Sequence, residues 1–189
     1  MADSSTREYQ GLKIPAAGTF SLDPAHTRVG FVARHLMVSK VRGAFQEVSG
    51  KITVADDPVQ SRVEASIVVE SVSTGVEARD NHLRSADFFE AQAHPTIEFV
   101  STSLTPKGGN KFTLRGDLTI KTTTVPVELD VEFEGVTVSP YGQEVLGFSA
   151  TGEINREDFG ITYNMVLEAG GVMISNTIKL EIEGEAIRD

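Results

Sequence analysis

Reactive chemistry in this chain would have to come from His26, His35, His82 and His94 and the groups around them, because there is no cysteine. That absence removes disulfides, thiolate metal sites and cysteine nucleophiles. The histidines do not fall in an HExxH or other ligand-like spacing, so no metal is expected. No GxSxG run offers a serine on a strained elbow. A glycosidase needs two carboxylates facing one another across a cleft, whereas most acids here alternate to the outside of strands. The densest polar cluster is Arg79, Asp80 and His82, with His35 near the end of another element. Two uses suit it. Arg79 and Asp80 could pair and anchor a helix to the rim of a barrel. Alternatively the cluster forms a polar collar at a cavity mouth and hydrogen-bonds the head of an amphiphile, as the few polar groups of apolar pockets do, with Phe88 and Phe89 closing over it. A different reading makes His35 or His82, with Asp80, an acid and base acting on an apolar substrate.

The elements that must position these groups are mostly strands. From Pro126 to Glu134, Val127, Leu129, Val131 and Phe133 alternate with Glu128, Asp130, Glu132 and Glu134, the period of a strand with one buried face. The same alternation runs through Val29–His35, Val63–Val69, Phe112–Ile120, Phe148–Ile154 and Ile174–Ile182. On the last of these, Asn176 is expected on the inward face, a buried amide in need of partners. Turn residues at 56–58, 106–110, 140–142 and 170–171 separate eight or nine strands of about 9 to 13 residues. Between Val72 and Pro95 the period is lost. Thr74 and Glu77 read as a capping box for a helical insertion around residues 75–92, ending before Pro95.

Too few helical residues exist to cover such strands, so the sheet must close on itself or stack. The expected fold is all-β, a closed antiparallel barrel of about eight strands over residues 18–189, preceded by an extension at 1–17. A barrel of that size is filled by side chains or holds one small ligand. The inward set includes Ala33, Ala65, Gly116, Ala150 and Gly152, which either leave room for a cavity, the favoured reading, or relieve crowding at barrel corners. Composition agrees with a globular chain: 189 residues, 40% hydrophobic, 23% charged. The net charge of −10 lies wholly in residues 126–189, which carry 13 acidic and 3 basic groups. Like-sign repulsion disfavours binding of that side to phosphate backbones or anionic membrane surfaces, and nucleic acid is set aside. No stretch is long and apolar enough for a spanning helix, and the N-terminus lacks a signal-peptide pattern, so a cytoplasmic location is expected. Uncapped edge strands leave a homodimer open.

DPAHTRVGFVARH (23–35), KVRGAF (40–45), RDNHL (79–83), DFF (87–89), HPTIEF (94–99), GDLTI (116–120) and REDFGI (156–161) occur in this order. Together they resemble the YceI-like, polyisoprenoid-binding family over about Gly18 to Ile187. The run KTTTVPV at 121–127 departs from it, since that family tends to place a glycine and a basic residue before the proline. The resemblance implies a lipocalin-like barrel whose apolar pore holds a long-chain polyisoprenoid lipid, an isoprenoid quinone or its precursor, with no other cofactor and no turnover. Residues expected to contact lipid are Phe31, Ala33, His35, Ile67, Phe89, Phe99, Leu118, Leu129, Val131, Phe133, Phe148, Ile174 and Ile178. Arg79, Asp80, His82 and Asn176 would add polar contacts.

Overall fold

The computed structural model describes residues 6–189. Its strands are β1 (Thr6–Tyr9), β2 (Leu12–Pro15), β3 (Gly18–Leu22), β4 (Arg28–His35), β5 (Ser39–Phe45), β6 (Val48–Val54), β7 (Arg62–Val68) and β8 (Val72–Ser73). After the single α-helix, α1 (Glu77–Arg84), come β9 (Thr96–Gly108), β10 (Lys111–Ile120), β11 (Thr123–Val138), β12 (Glu144–Asn155) and β13 (Thr177–Arg188). β1 and β2 form a hairpin of their own, and the others make one antiparallel sheet.

That sheet closes. β13 pairs along one edge with β12, and along the other with β3 and then β4: Leu22 faces Ala186, and Phe31 faces Leu180. β3 and β4 are therefore two parts of one interrupted strand. The same holds for β5 with β6, which pair with β4 and β3 in turn, and for β7 with β8, which pair with β6 and β5. Counted this way eight staves run up and down around a barrel, each beside its neighbour in sequence, with the ring completed between first and last. Short turns dictate this order, because two strands joined by a few residues can only be antiparallel neighbours. Gly108 and Gly109, at φ 98° and 58°, make the turn from β9 to β10 in a region closed to most side chains.

Inside the barrel the alternating faces expected from sequence meet. The core runs through Phe45, Ile67, Ile97, Phe99, Leu114, Leu118, Leu129 and Ala150. The inward glycines do not leave empty space at their own positions. A Cβ on Gly116 would come 2.4 Å from the Phe99 ring and 2.7 Å from the Val100 carbonyl, and one on Gly152 would come 2.8 Å from Leu129 Cδ2. Phe31 and Phe148 lie over Gly43 and Gly184 in the same way. Large side chains are thus laid against the wall over a neighbouring bare backbone instead of crossing the middle. The glycines keep the bore open by lending space to the wall.

Three local expectations need correction. Thr74 does not cap α1. The N-cap is Val76, with no side-chain cap bond, and the Thr74 hydroxyl donates instead to Asp80 Oδ1 at 2.6 Å. Asn176 is not inward: β13 begins at Thr177 and Asn176 is exposed. Its side-chain and main-chain oxygens accept from the Arg156 guanidinium at 3.4 Å and the Arg156 amide at 3.0 Å, which draws the chain off the strand path. Some staves also exceed the expected length, β11 reaching 16 residues.

Gly116→Ala should destabilise the barrel by about 1–3 kcal/mol, the usual range for overpacking, since ring and carbonyl must both move. Denaturant unfolding at equilibrium checks this, and an unchanged midpoint would count against the wall-packing account.

Candidate functional site

A cavity of about 490 Å³ runs inside the barrel, lined by side chains from almost every stave. Of the residues expected to contact lipid, Phe31, Ala33, His35, Ile67, Arg79, His82, Phe89, Phe99, Leu118, Leu129, Val131, Phe133, Phe148, Ile174 and Ile178 line it. Asp80 and Asn176 do not. The lining extends on β12 from Leu146 to Ile154, eight residue steps, or about 26 Å of strand at about 3.3 Å per residue.

The two ends differ. At one, α1 and the segment after β12 supply Arg79, His82 and Arg156, and the end of β4 supplies Arg34 and His35. Among the described residues every charged or titratable nitrogen of the lining is here, and no Asp or Glu lines the cavity. Arg156, missed from sequence as a site residue, is 4% exposed. It donates to the carbonyls of Ser175, Ile161 and Tyr163 at 3.0, 2.9 and 2.8 Å, stitching the segment after β12 across the mouth. Burial lowers its pKa, yet a guanidinium in a protein stays charged. Among the described residues no carboxylate lies within 4.0 Å of it.

Arg79 and Asp80 do not pair with each other. They converge on Thr74: its amide donates to Asp80 Oδ1 at 2.8 Å, and its hydroxyl accepts from Arg79 Nε at 2.7 Å. Asp80, 7% exposed, thereby fastens α1 to the end of β8. His82 Nε2 lies 2.8 Å from Asp87 Oδ2, so the pairing of His82 with Asp80 as acid and base does not form. The His82 ring also meets Phe88 and Tyr163 edge-on at 5.0 and 4.9 Å, and Phe89 meets Phe45 at 5.5 Å. Tyr163 carried no periodic or motif signal beyond its neighbourhood to REDFGI.

The opposite end is apolar and is crossed by the β1–β2 hairpin. Tyr9, Ile14 and Pro15 line the cavity there. Arg7 donates to the carbonyls of Ala55 and Asp56 just beyond β6, while β2 packs against β11. β6 and β11 lie half a turn apart around the eight staves, so a hairpin held by both must cross the mouth. Arg188 holds its stem, donating to the carbonyls of Ala16 and Ala17 and to Glu144. Residues 1–5 of the expected extension lie outside the described residues.

Among the described residues one group of three metal-type side chains occurs, Asp23, His26 and Glu185. His26 Nδ1 is 2.7 Å from Asp23 Oδ2, and that hydrogen bond raises the imidazole pKa and lowers the carboxyl's. The group stands outside the cavity lining and reads as an exposed ion pair.

A YceI-like domain model matches residues 20–186 of the chain. The chain belongs to the YceI-like family. It is 42% identical over 171 residues to a UPF0312 protein of Staphylococcus aureus, covering 88% of this chain and 95% of that one. A crystal structure of the Campylobacter jejuni YCEI protein superposes with TM-score 0.71 at 32% identity, covering 82% of this chain and 90% of that one. A polyisoprenoid binding domain from Saccharophagus degradans shares the fold with TM-score 0.61 at 16% identity, covering 90% of this chain and 98% of that one. The β1–β2 hairpin precedes the span matched to the YceI-like domain.

Asp80→Ala should cost about 1.5–3 kcal/mol, the range for a hydrogen bond to a charged group, measured by chemical denaturation. Ile14→Asp, which sets a charge at a site 6% exposed, should release the hairpin from this YceI-like barrel, because an unpaired buried charge is costly. Limited proteolysis should then cut between residues 10 and 17 while the barrel stays folded. A variant as resistant there as the parent would mean that the hairpin does not seat Ile14.

Proposed function

We propose that this protein binds and carries a long-chain polyisoprenoid lipid, or an isoprenoid quinone or its precursor, and does not turn it over. One observation carries the reading: the inward faces of eight staves surround a bore that is apolar along its length and has its charges at one end only. Apolar surface that stays out of contact with other side chains is stabilised by an apolar occupant. A bore about 26 Å along the strand suits a chain better than a compact molecule. The isoprenoid class comes from the family, and the polyisoprenoid binding domain of Saccharophagus degradans has the same fold.

The collar supports a head group at the α1 end. Arg34, His35, Arg79, His82 and Arg156 are hydrogen-bond donors with no carboxylate among the described residues of the lining. They favour an acceptor, such as a phosphate or a quinone carbonyl. A binder is favoured over an enzyme because the polar groups are committed to the frame. Asp80 is bound by Thr74, His82 by Asp87, and Arg156 by main-chain carbonyls, and among the described residues His35, the other imidazole of the lining, has no carboxylate within 4.0 Å to make an acid–base pair.

Solvent extraction of freshly purified protein followed by mass spectrometry should recover a long-chain hydrophobic compound. Repeated isolation of lipid-free protein that also refuses added polyprenyl phosphate and quinone analogues would overturn the reading. Val131, which lines the bore between outward Asp130 and Glu132, offers a second check. Val131→Phe should displace lipid while changing the stability of the lipid-free protein little, whereas in a filled core it would cost about 1–3 kcal/mol. Unfolding free energy and lipid content measured on the same variant separate the two.

A further inference from the structure

The rim at the α1 end carries large apolar side chains in water. Leu36, Met37 and Val38 are 39, 48 and 80% exposed, and Met165 and Val166 are 54 and 85% exposed. They form one patch, because their segments are hydrogen-bonded side by side. The Leu36 amide donates to the Met173 carbonyl at 2.8 Å, the Met173 amide donates to the Met165 carbonyl at 2.9 Å, and Val166 bridges to Val172. Apolar residues scattered over a surface need no explanation, whereas a contiguous set at the rim of an apolar cavity marks an interaction site.

The turn between β4 and β5 adds a second observation. Leu36 and Met37 both have positive φ, 52° and 59°, and the Val38 amide donates to the His35 carbonyl at 3.2 Å. This is the two-residue hairpin turn that Asn-Gly suits, since both central positions lie in the left-handed region. Leucine and methionine are disfavoured there twice, by backbone sterics and by exposure to water. Strain of this kind persists where function uses it.

Charge says what covers the patch. Between Asp23 and Glu47 the chain has no acid but contains Arg28, at the far end of β4, Arg42, paired with Glu181 at 3.0 Å, and Arg34 and Lys40 beside the turn, in a protein of net charge −10. Arg34 and Lys40 sit directly opposite one another just behind the turn, a like-charge cross-strand pair that is unfavourable on its own. Among the described residues neither has a carboxylate within 4.0 Å. Glu168 is the one acid of the facing arm, residues 162–176. An apolar tip backed by cations is the arrangement that enters a bilayer interface, apolar groups among the acyl chains and cations at the phosphates. The patch is also continuous with the cavity mouth, because Arg34, His35, Met173 and Ile174 of the same segments line it.

We propose that this face docks on an anionic lipid bilayer, with Leu36, Met37, Val38, Met165 and Val166 in the interface and Arg34 and Lys40 on lipid phosphates. The proposal rests on the reading of the barrel as a lipid carrier and places its mouth at the membrane that supplies or receives the lipid.

Co-sedimentation of the full chain with vesicles tests it. Binding should be about tenfold stronger to vesicles of equal parts phosphatidylglycerol and phosphatidylcholine than to phosphatidylcholine alone, and should fall with added salt. The decisive variant combines Leu36→Asn with Met37→Gly. It places at the turn the residues that its geometry prefers, so thermal stability should hold or rise. Neither residue lines the cavity, so the lipid retained in solution should not change. Vesicle binding should fall about tenfold or more, because two apolar side chains no longer enter the interface. Lys40→Glu should lower the preference for phosphatidylglycerol. Vesicle binding unchanged in the double variant, or a parent protein that binds neither vesicle, overturns the docking proposal. A concentration-dependent dimer that the same variant abolishes, in place of vesicle binding, also overturns it and assigns the patch to a second copy. A protein that holds no lipid yet binds vesicles through this tip would count against carriage and leave the docking surface standing.

Discussion

Everything else in this molecule depends on the last strand pairing on both of its edges. β13 closes the ring by holding β12 along one side and the two parts of the first stave along the other. Closure gives every stave a hydrogen-bonded neighbour on both sides, while stretches such as Ser39–Gly43 of β5 and Thr123–Leu129 of β11 pair along one edge only. It also fixes how much space the inward faces enclose. A guanidinium secures the seam at the hairpin end: Arg188 lies 4.5 Å over the Phe20 ring and binds Glu144 of β12. The same side chain reaches the carbonyls of Ala16 and Ala17, which ties the barrel seam to the stem of the hairpin that crosses the mouth.

A closed ring of eight staves is narrow enough to be filled, and what prevents filling here is the pairing of bulky residues with bare backbone. Phe31, Phe99 and Phe148 each lean over a glycine on an adjacent strand. Rings that would otherwise meet in the middle become part of the wall. The cavity is therefore a property of neighbouring pairs across strands. An inward glycine with no large partner beside it would widen the barrel only at its own position.

The two ends of the bore differ in chemistry. One is crossed by a hairpin held at half-turn separation on the ring, with Ile14 and Pro15 against the apolar space. The other gathers all the charged lining residues, all of them basic, under a rim of exposed apolar side chains. In a protein of net charge −10 this is a sharp local reversal. It gives the bore a polarity, apolar at the hairpin end and basic at the collar.

The sequence by itself determined the class of fold, because period-2 alternation between acids and apolar residues leaves one face of each strand in need of cover, as in Val127–Phe133. With short turns between such strands and little helix, the sheet had to close on itself or stack on another, and an up-and-down closed barrel was the expected outcome. The inward parity of most bore residues was legible for the same reason. What tertiary structure alone decided lies where side chains choose among partners distant in the chain. Thr74 met Asp80 in place of Glu77, His82 met Asp87 in place of Asp80, and Asn176 turned outward to Arg156. The hairpin at Thr6–Pro15 showed only as an extension, since its role depends on two strands far apart in sequence being opposite in the ring. Arg156 and Tyr163 entered the mouth through hydrogen bonds between loops, and no periodicity marks residues that loops bring together. Alternation reports which side of a strand is dry. Which distant group satisfies a buried charge is set by three-dimensional proximity, and a one-dimensional pattern does not encode it.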